Sequence, residues 1–257
     1  MSISVKKEIK IWVLLQLLII SIDCYSQNDI LSFTVSYSRS NKSSDNSIRK
    51  VDSIAHRPGI ASHFAKIYSQ SMTNIAKQTQ SMGSEAKLFI NKFEITFANY
   101  FINAFVDYEN GTLAESSDWK CYFSNPTIQP WQFVLLGVNT HINIDMWRSL
   151  ADNFSEKEIR QNKKLFLTCQ SSVKKTYRQF FDTLLMESTY LRFINSFAKG
   201  FPQKLGEMIV YKWRKRNVKL AILYYYRPEK FEKKFARIKK KKQRIDNLIL
   251  TRRSVSL

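Results

Sequence analysis

The residues of this chain best placed for chemistry are an imidazole and a carboxylate one helical turn apart. His141 and Asp145 lie in Leu135-Leu136-Gly137-Val138-Asn139-Thr140-His141-Ile142-Asn143-Ile144-Asp145, an otherwise apolar stretch that also carries Asn139 and Asn143. A helix advances about 100° per residue, which sets His141 and Asp145 about 40° apart and puts Arg148 on the same stripe. A carboxylate beside an imidazole orients the ring and raises its pKa, as a general base or acid requires. The same pair offers one face to a metal ion, which needs further ligands. Glu94, Asn99 and Asn103, on a Phe-rich segment upstream, are the groups that could supply them. Glu94 sits within Phe93-Glu94-Ile95-Thr96-Phe97, where a purely apolar core would not accept a carboxylate. His56 and His63 fall at the edge of the domain. There is no zinc-type spacing and no nucleophile motif. The sequence names no cofactor and leaves a metal open.

His141 and Asp145 are therefore the catalytic candidates. Asn139, Asn143, Arg148, Glu94 and Asn99 are the binding candidates. Asn139 and Asn143 share a helix face of their own, nearly opposite His141, so one straight helix cannot aim all four polar residues at a small ligand. That second face reads as structure, with amides bridging neighbouring helices. Two readings stay open. One is a binding or hydrolytic site around the His-Ile-Asn-Ile-Asp helix. The other is a non-catalytic protein whose motif is a buried polar network specifying one helix arrangement.

The elements that must position these groups read as helices. Ile60, Phe64, Ile67 and Tyr68 recur at helical spacing after Pro58-Gly59. Leu88 to Tyr108 predicts a strong helix closed by the Asn110-Gly111 turn. Trp119 to Phe123 predicts half a helix before the break at Asn125-Pro126. Pro130 suits the first turn of the motif helix, where its missing N–H costs little. Asn153 or Ser155 caps a long helix reaching Met186, and a further helix covers 188–199. Gly200-Phe201-Pro202 interrupts the chain, and the last long helix starts near Gln203. Arg227-Pro228 kinks or splits it. The expected fold is all-α, a single-domain antiparallel bundle of about six to seven helices over residues 54–227.

The ends read differently. Lys6, Lys7 and Lys10 precede the apolar run Ile11 to Ile22, and Cys24-Tyr25-Ser26 offers small residues for cleavage after Ser26. Twelve helical residues span only ~18 Å of a ~30 Å hydrocarbon core, which argues for a cleaved export signal over residues 1–26 rather than an anchor. The mature chain carries no expected transmembrane span. The Ser- and Asn-rich residues 27–53 read as a flexible leader. Cys121 and Cys169 match no metal spacing and read as buried free thiols, with a disulfide as the alternative in an exported protein. The formal charge is +20. From Lys199 onward there are 19 Lys or Arg against four acidic residues, so most of the excess lies in the last quarter. Residues 228–257 read as a basic amphipathic tail able to contact anionic surfaces. No nucleic-acid-binding motif is present, and nucleic acid is not the expected partner.

The motif also resembles a family. Gly137-Val138-Asn139-Thr140-His141-Ile142-Asn143-Ile144-Asp145-Met146 is similar to the Gly-Met-Asn-Ala-His-Ile-Asn-Tyr-Asp-Leu signature of a bacterial domain family of unknown function, family 5995. Phe97-Ala98-Asn99-Tyr100-Phe101 resembles its Phe-Ala-Asn-x-Tyr-Phe segment. Trp119 and the Arg-rich helix around Trp213 match weaker features. The likeness spans Ile54 to Tyr226. It implies an all-helical domain and no established reaction, with His141, Asn143 and Asp145 in the motif positions and Asn139 before them. Val138, Thr140, Ile144 and Met146 depart from the pattern, and Asn103 stands where the family has an acidic residue.

Overall fold

Ile48, Val51, Ile54 and Ala55 fall on one helical stripe, and the computed structural model buries Val51, Ile54 and Ala55. The structure describes residues 42–169, 176 and 201–251. Its first element, α1 (Lys42–Ala55), packs on α2 (Ala61–Thr79) and α3 (Ser84–Glu109). The leader expected over 27–53 is thus corrected from Lys42 onward. Asn46 and Ser53 are exposed on a helix whose four apolar positions are enough to dock it. The domain starts before Ile54.

The helix α2 carries Phe64 and Tyr68 inward, and α3 carries Phe93, Phe97 and Phe101. A turn at Asn110-Gly111 closes α3, with Gly111 at φ +69°, a conformation that costs glycine no steric penalty. A single helical turn, α4 (Lys120–Phe123), sets Trp119, Tyr122 and Phe123 into the same aromatic core. Each such ring contributes about 1.5–3 kcal/mol by leaving water.

Pro130 opens α5 (Pro130–Thr140), with Gln129 and Gln132 forming a reciprocal cap: the Gln132 side-chain oxygen accepts from the Gln129 N–H at 2.8 Å. The chain then takes a π-helical turn, His141–Asp145, and continues as α6 (Met146–Asn153). This interrupted helix is the centre of the molecule. It meets α2 and α3 on one side, and α9 (Phe201–Tyr226) and α10 (Pro228–Thr251) on the other.

Ser155 caps the next helix as its sequence predicts, its hydroxyl taking the Glu158 N–H while the Glu158 carboxylate takes the Ser155 N–H. The long helix expected beyond it is broken instead. Asn162, at φ −90° and ψ 4°, separates α7 (Glu156–Gln161) from α8 (Lys163–Thr168). The expected continuation to Met186 and the helix over 188–199 lie outside the described residues. Arg227-Pro228 does separate α9 from α10. The tail reading of 228–257 is corrected. Phe231, Ile238, Lys242, Asp246 and Ile249 are buried, so α10 is part of the core. Cys121 and Cys169 are both free thiols.

All described secondary structure is helical, in an all-α fold. Among the described residues no helix is long and apolar enough to cross a membrane.

Gly137 sets the spacing of α5 against α2. A Cβ there would fall 2.5 Å from Cγ of Phe64, whose ring is held by Phe101, Trp119 and Tyr122. Gly137→Ala is expected to destabilise the protein by about 1–3 kcal/mol through overpacking, despite alanine's better helix propensity. Urea unfolding checks this, and an unchanged or raised midpoint would contradict it.

Candidate functional site

The π turn follows from where the motif's side chains must go. An extra residue in the turn pairs the Met146 N–H with the His141 carbonyl, five residues back. Side chains answer the displaced carbonyls. Asn143 Nδ2 donates to Asn139 O at 2.7 Å, Asn217 Nδ2 to Ile142 O at 2.9 Å, and Ser149 Oγ to Asp145 O at 2.8 Å. The polar pattern and the irregular backbone therefore support each other.

The two faces inferred from the motif spacing are separate in three dimensions. On the first, His141 stacks on Phe97 with ring centroids 3.5 Å apart, and the edge of Tyr68 closes in at 4.4 Å. His141 Nδ1 lies 3.0 Å from Asp145 Oδ2, and Trp119 Nε1 donates to the same oxygen at 3.1 Å. His141 is 3% exposed and Asp145 1%. Burial pushes the His141 pKa well below its usual value, so the ring is neutral. Burial pushes Asp145 upward, opposed by Arg148 and by the Trp119 hydrogen bond. With Nδ1–H given to Asp145, the imidazole keeps a lone pair on Nε2.

Among the described residues, that Nε2 has no partner. Neither does Tyr68 Oη nor Glu94 Oε2, and all three atoms are buried. Glu94 lies about 60° round α3 from Phe97. Burial raises its pKa to about 7, against the pull of Arg214. Arg214 is itself buried, donating from Nη2 to Phe166 O at 2.7 Å while its Nε finds no partner. The Tyr68 hydroxyl is pushed upward by burial first, then by Glu94 and Asp145, which places both carboxylates in its surroundings.

On the second face the amides hold helices. Asn139 Nδ2 donates to Lys242 O at 3.1 Å and to Asp246 Oδ1 at 2.8 Å, and Lys242 Nζ donates to Asp246 Oδ2 at 2.7 Å. Asn143 Nδ2 also donates to Asn139 Oδ1 at 2.8 Å, while Asn143 Oδ1 accepts from Arg216.

Of the site residues expected from sequence, His141, Asp145 and Glu94 thus border one buried region. Asn139 and Asn143 belong to the helix-bridging face. Arg148 acts electrostatically on Asp145, while its guanidinium pairs with Asp118 at 3.0 Å and lies over the Trp147 ring. Asn99 lies about 200° round α3 from Phe97 and makes no bond to the motif, and Asn103 is exposed. No group of three or more His, Cys, Asp or Glu able to hold a metal occurs among the described residues. Tyr68, Arg214, Arg216, Asn217 and Asp246 escaped the sequence reading. Arg214 and Asn217 lie three apart between apolar residues, a buried-face signal masked by the surrounding lysines.

An all-α domain built round a π-interrupted His-Asp helix is the class of protein that this fold and site define. A family model described as a family of unknown function (DUF5995) matches residues 47–252, and the chain belongs to that family. The match includes most of α1 and all of α10, in agreement with their packing. No curated protein and no solved structure matches the chain.

The raised pKa of Glu94 makes a prediction. An acid with its folded pKa above the unfolded one binds more protons when folded, so stability falls as pH rises from about 4.5 to about 7. Relative to Glu94→Gln, the native protein should lose about 3 kcal/mol across that window. Thermal unfolding of both proteins at pH 5 and pH 8 measures the difference, and parallel pH profiles would refute it.

Proposed function

We propose that this is an exported protein, processed after Ser26, that holds a small polar ligand inside its helical domain beside His141. The single observation behind this is that three buried polar atoms have no protein partner among the described residues: His141 Nε2, Tyr68 Oη and Glu94 Oε2. A buried polar group left unsatisfied costs about 1–3 kcal/mol, and native structures rarely leave several together. Ordered water or a ligand with matching donors and acceptors removes that cost. The groups also suit acid–base work. Asp145 orients His141 so that Nε2 accepts a proton, and Glu94, with a pKa of about 7, can donate one near neutrality. This supports a binding site with hydrolytic capacity, in which His141 is the base and Asp145 its orienter.

A second reading rests on the opposite face. Asn139 ties the centre of the motif helix to Lys242 and Asp246 of α10. In that reading the motif is a buried polar network that seats a basic helix, and the basic helix contacts anionic surfaces.

Tyr68→Phe separates the two. If the hydroxyl meets a ligand or ordered water, its removal lowers stability by about 1–2 kcal/mol; if it faces nothing, removal is neutral or stabilising. Native mass spectrometry of the purified protein, before and after dialysis, then tells a bound small molecule from water alone. Asn139→Ala should cost more than about 2 kcal/mol in either case, because it leaves a buried carboxylate short of a donor.

A further inference from the structure

Arg216 is a cation in poor company. Its side chain is half-buried in α9, and its Nε is buried without a partner among the described residues. Its terminal nitrogen donates to Asn143 Oδ1, a neutral amide oxygen. That oxygen faces Arg216 because Asn143 Nδ2 is already committed to Asn139. Burial lowers the Arg216 pKa to about 10. Lys219 lies three residues further along α9, on the same side of the helix and exposed. Lys234 comes across from α10, which packs on α9. Its ammonium is disfavoured by partial burial, then by Lys219 and by Arg216. Among the described residues no carboxylate pairs with any of the three.

Cations taken partly out of water are normally paired, and placing three together adds repulsion to the desolvation cost. An anion between them would reverse both effects. The guanidinium plane suits two oxygens of a tetrahedral oxyanion, and two lysines supply further charge without demanding geometry. We propose that Arg216, Lys219 and Lys234 form a binding site for a phosphate-class oxyanion, with Asn143 positioning the guanidinium. This site is separate from the region beside His141, and it gives the motif's second asparagine a role beyond bridging helices. The oxyanion is either a free phosphate group or the headgroup of an anionic phospholipid.

The test uses the full chain at low ionic strength. Inorganic phosphate is titrated against sodium chloride of equal ionic strength, followed by thermal unfolding and by side-chain NMR of Lys234. Phosphate, and not chloride, is expected to raise the melting temperature and to raise the Lys234 pKa. The double variant Lys219→Gln/Lys234→Gln should weaken phosphate at least about tenfold. It should also be no less stable than the native chain without phosphate, because repulsion is relieved. Lys240→Gln, on the exposed side of α10, should bind as the native protein does. Phosphatidylcholine vesicles with and without phosphatidic acid form the second arm. Capture by the acidic vesicles that free phosphate reverses assigns the headgroup, and phosphate binding without capture assigns a soluble ligand. Equal effects of phosphate and chloride, or undiminished binding by the double variant, overturn the site.

Discussion

Asp145 holds a carboxylate at the centre of a hydrocarbon core, and the rest of the molecule is arranged to make that tolerable. Burial pushes its pKa well above the usual carboxylate value, and an acid group so far from water needs partners in either protonation state. His141 Nδ1 and the Trp119 N–H both meet one of its oxygens. Trp119 reaches Asp145 because α4 turns its indole inward, and α4 is held by Tyr122, whose hydroxyl donates to Ile60 O at 2.7 Å. His141 is in turn clamped between α2 and α3 by Phe97 and Tyr68. One buried carboxylate thus fixes the relative positions of α2, α3, α4 and the motif helix.

The π turn lets a single helix serve two masters. Its first face carries the imidazole into the aromatic core, and its second passes Asn139 and Asn143 to α9 and α10. The same turn leaves carbonyls that only side chains reach, and Asn217 and Ser149 take that duty. Basic residues gain structural roles in this way. Lys242 is buried against Asp246 and donates to Asp118 O, although it belongs to the four-lysine run of the sequence. Charge that reads as a solvated face is partly interior.

The sequence made much of this visible. The aromatic spacing of α2 and α3, the proline and cap that open α5, the Ser155 box and the split at Arg227-Pro228 are local events, governed by residues within one turn of each other. The division of the motif into two faces was also legible, since it needs only helix periodicity. The docking of α1 and α10 was not. Both have outer faces so polar that composition hides their apolar stripes, and docking depends on a surface contributed by distant segments. The break at Asn162 was missed because a single residue there decides between one helix and two.

Sequence alone determined the helical class, the membership of His141 and Asp145 in one motif, and the concentration of positive charge in the last quarter. These rest on period, spacing and composition, which a linear chain carries in full. Only the tertiary structure decided that Tyr68 packs on His141 within reach of the Glu94 charge, that Arg148 pairs with Asp118, and that Arg216 leans on Asn143. Each of these pairs residues dozens of positions apart or depends on an inserted helical residue. Burial, which sets their protonation and leaves their atoms unpartnered, exists only once the helices have closed around them.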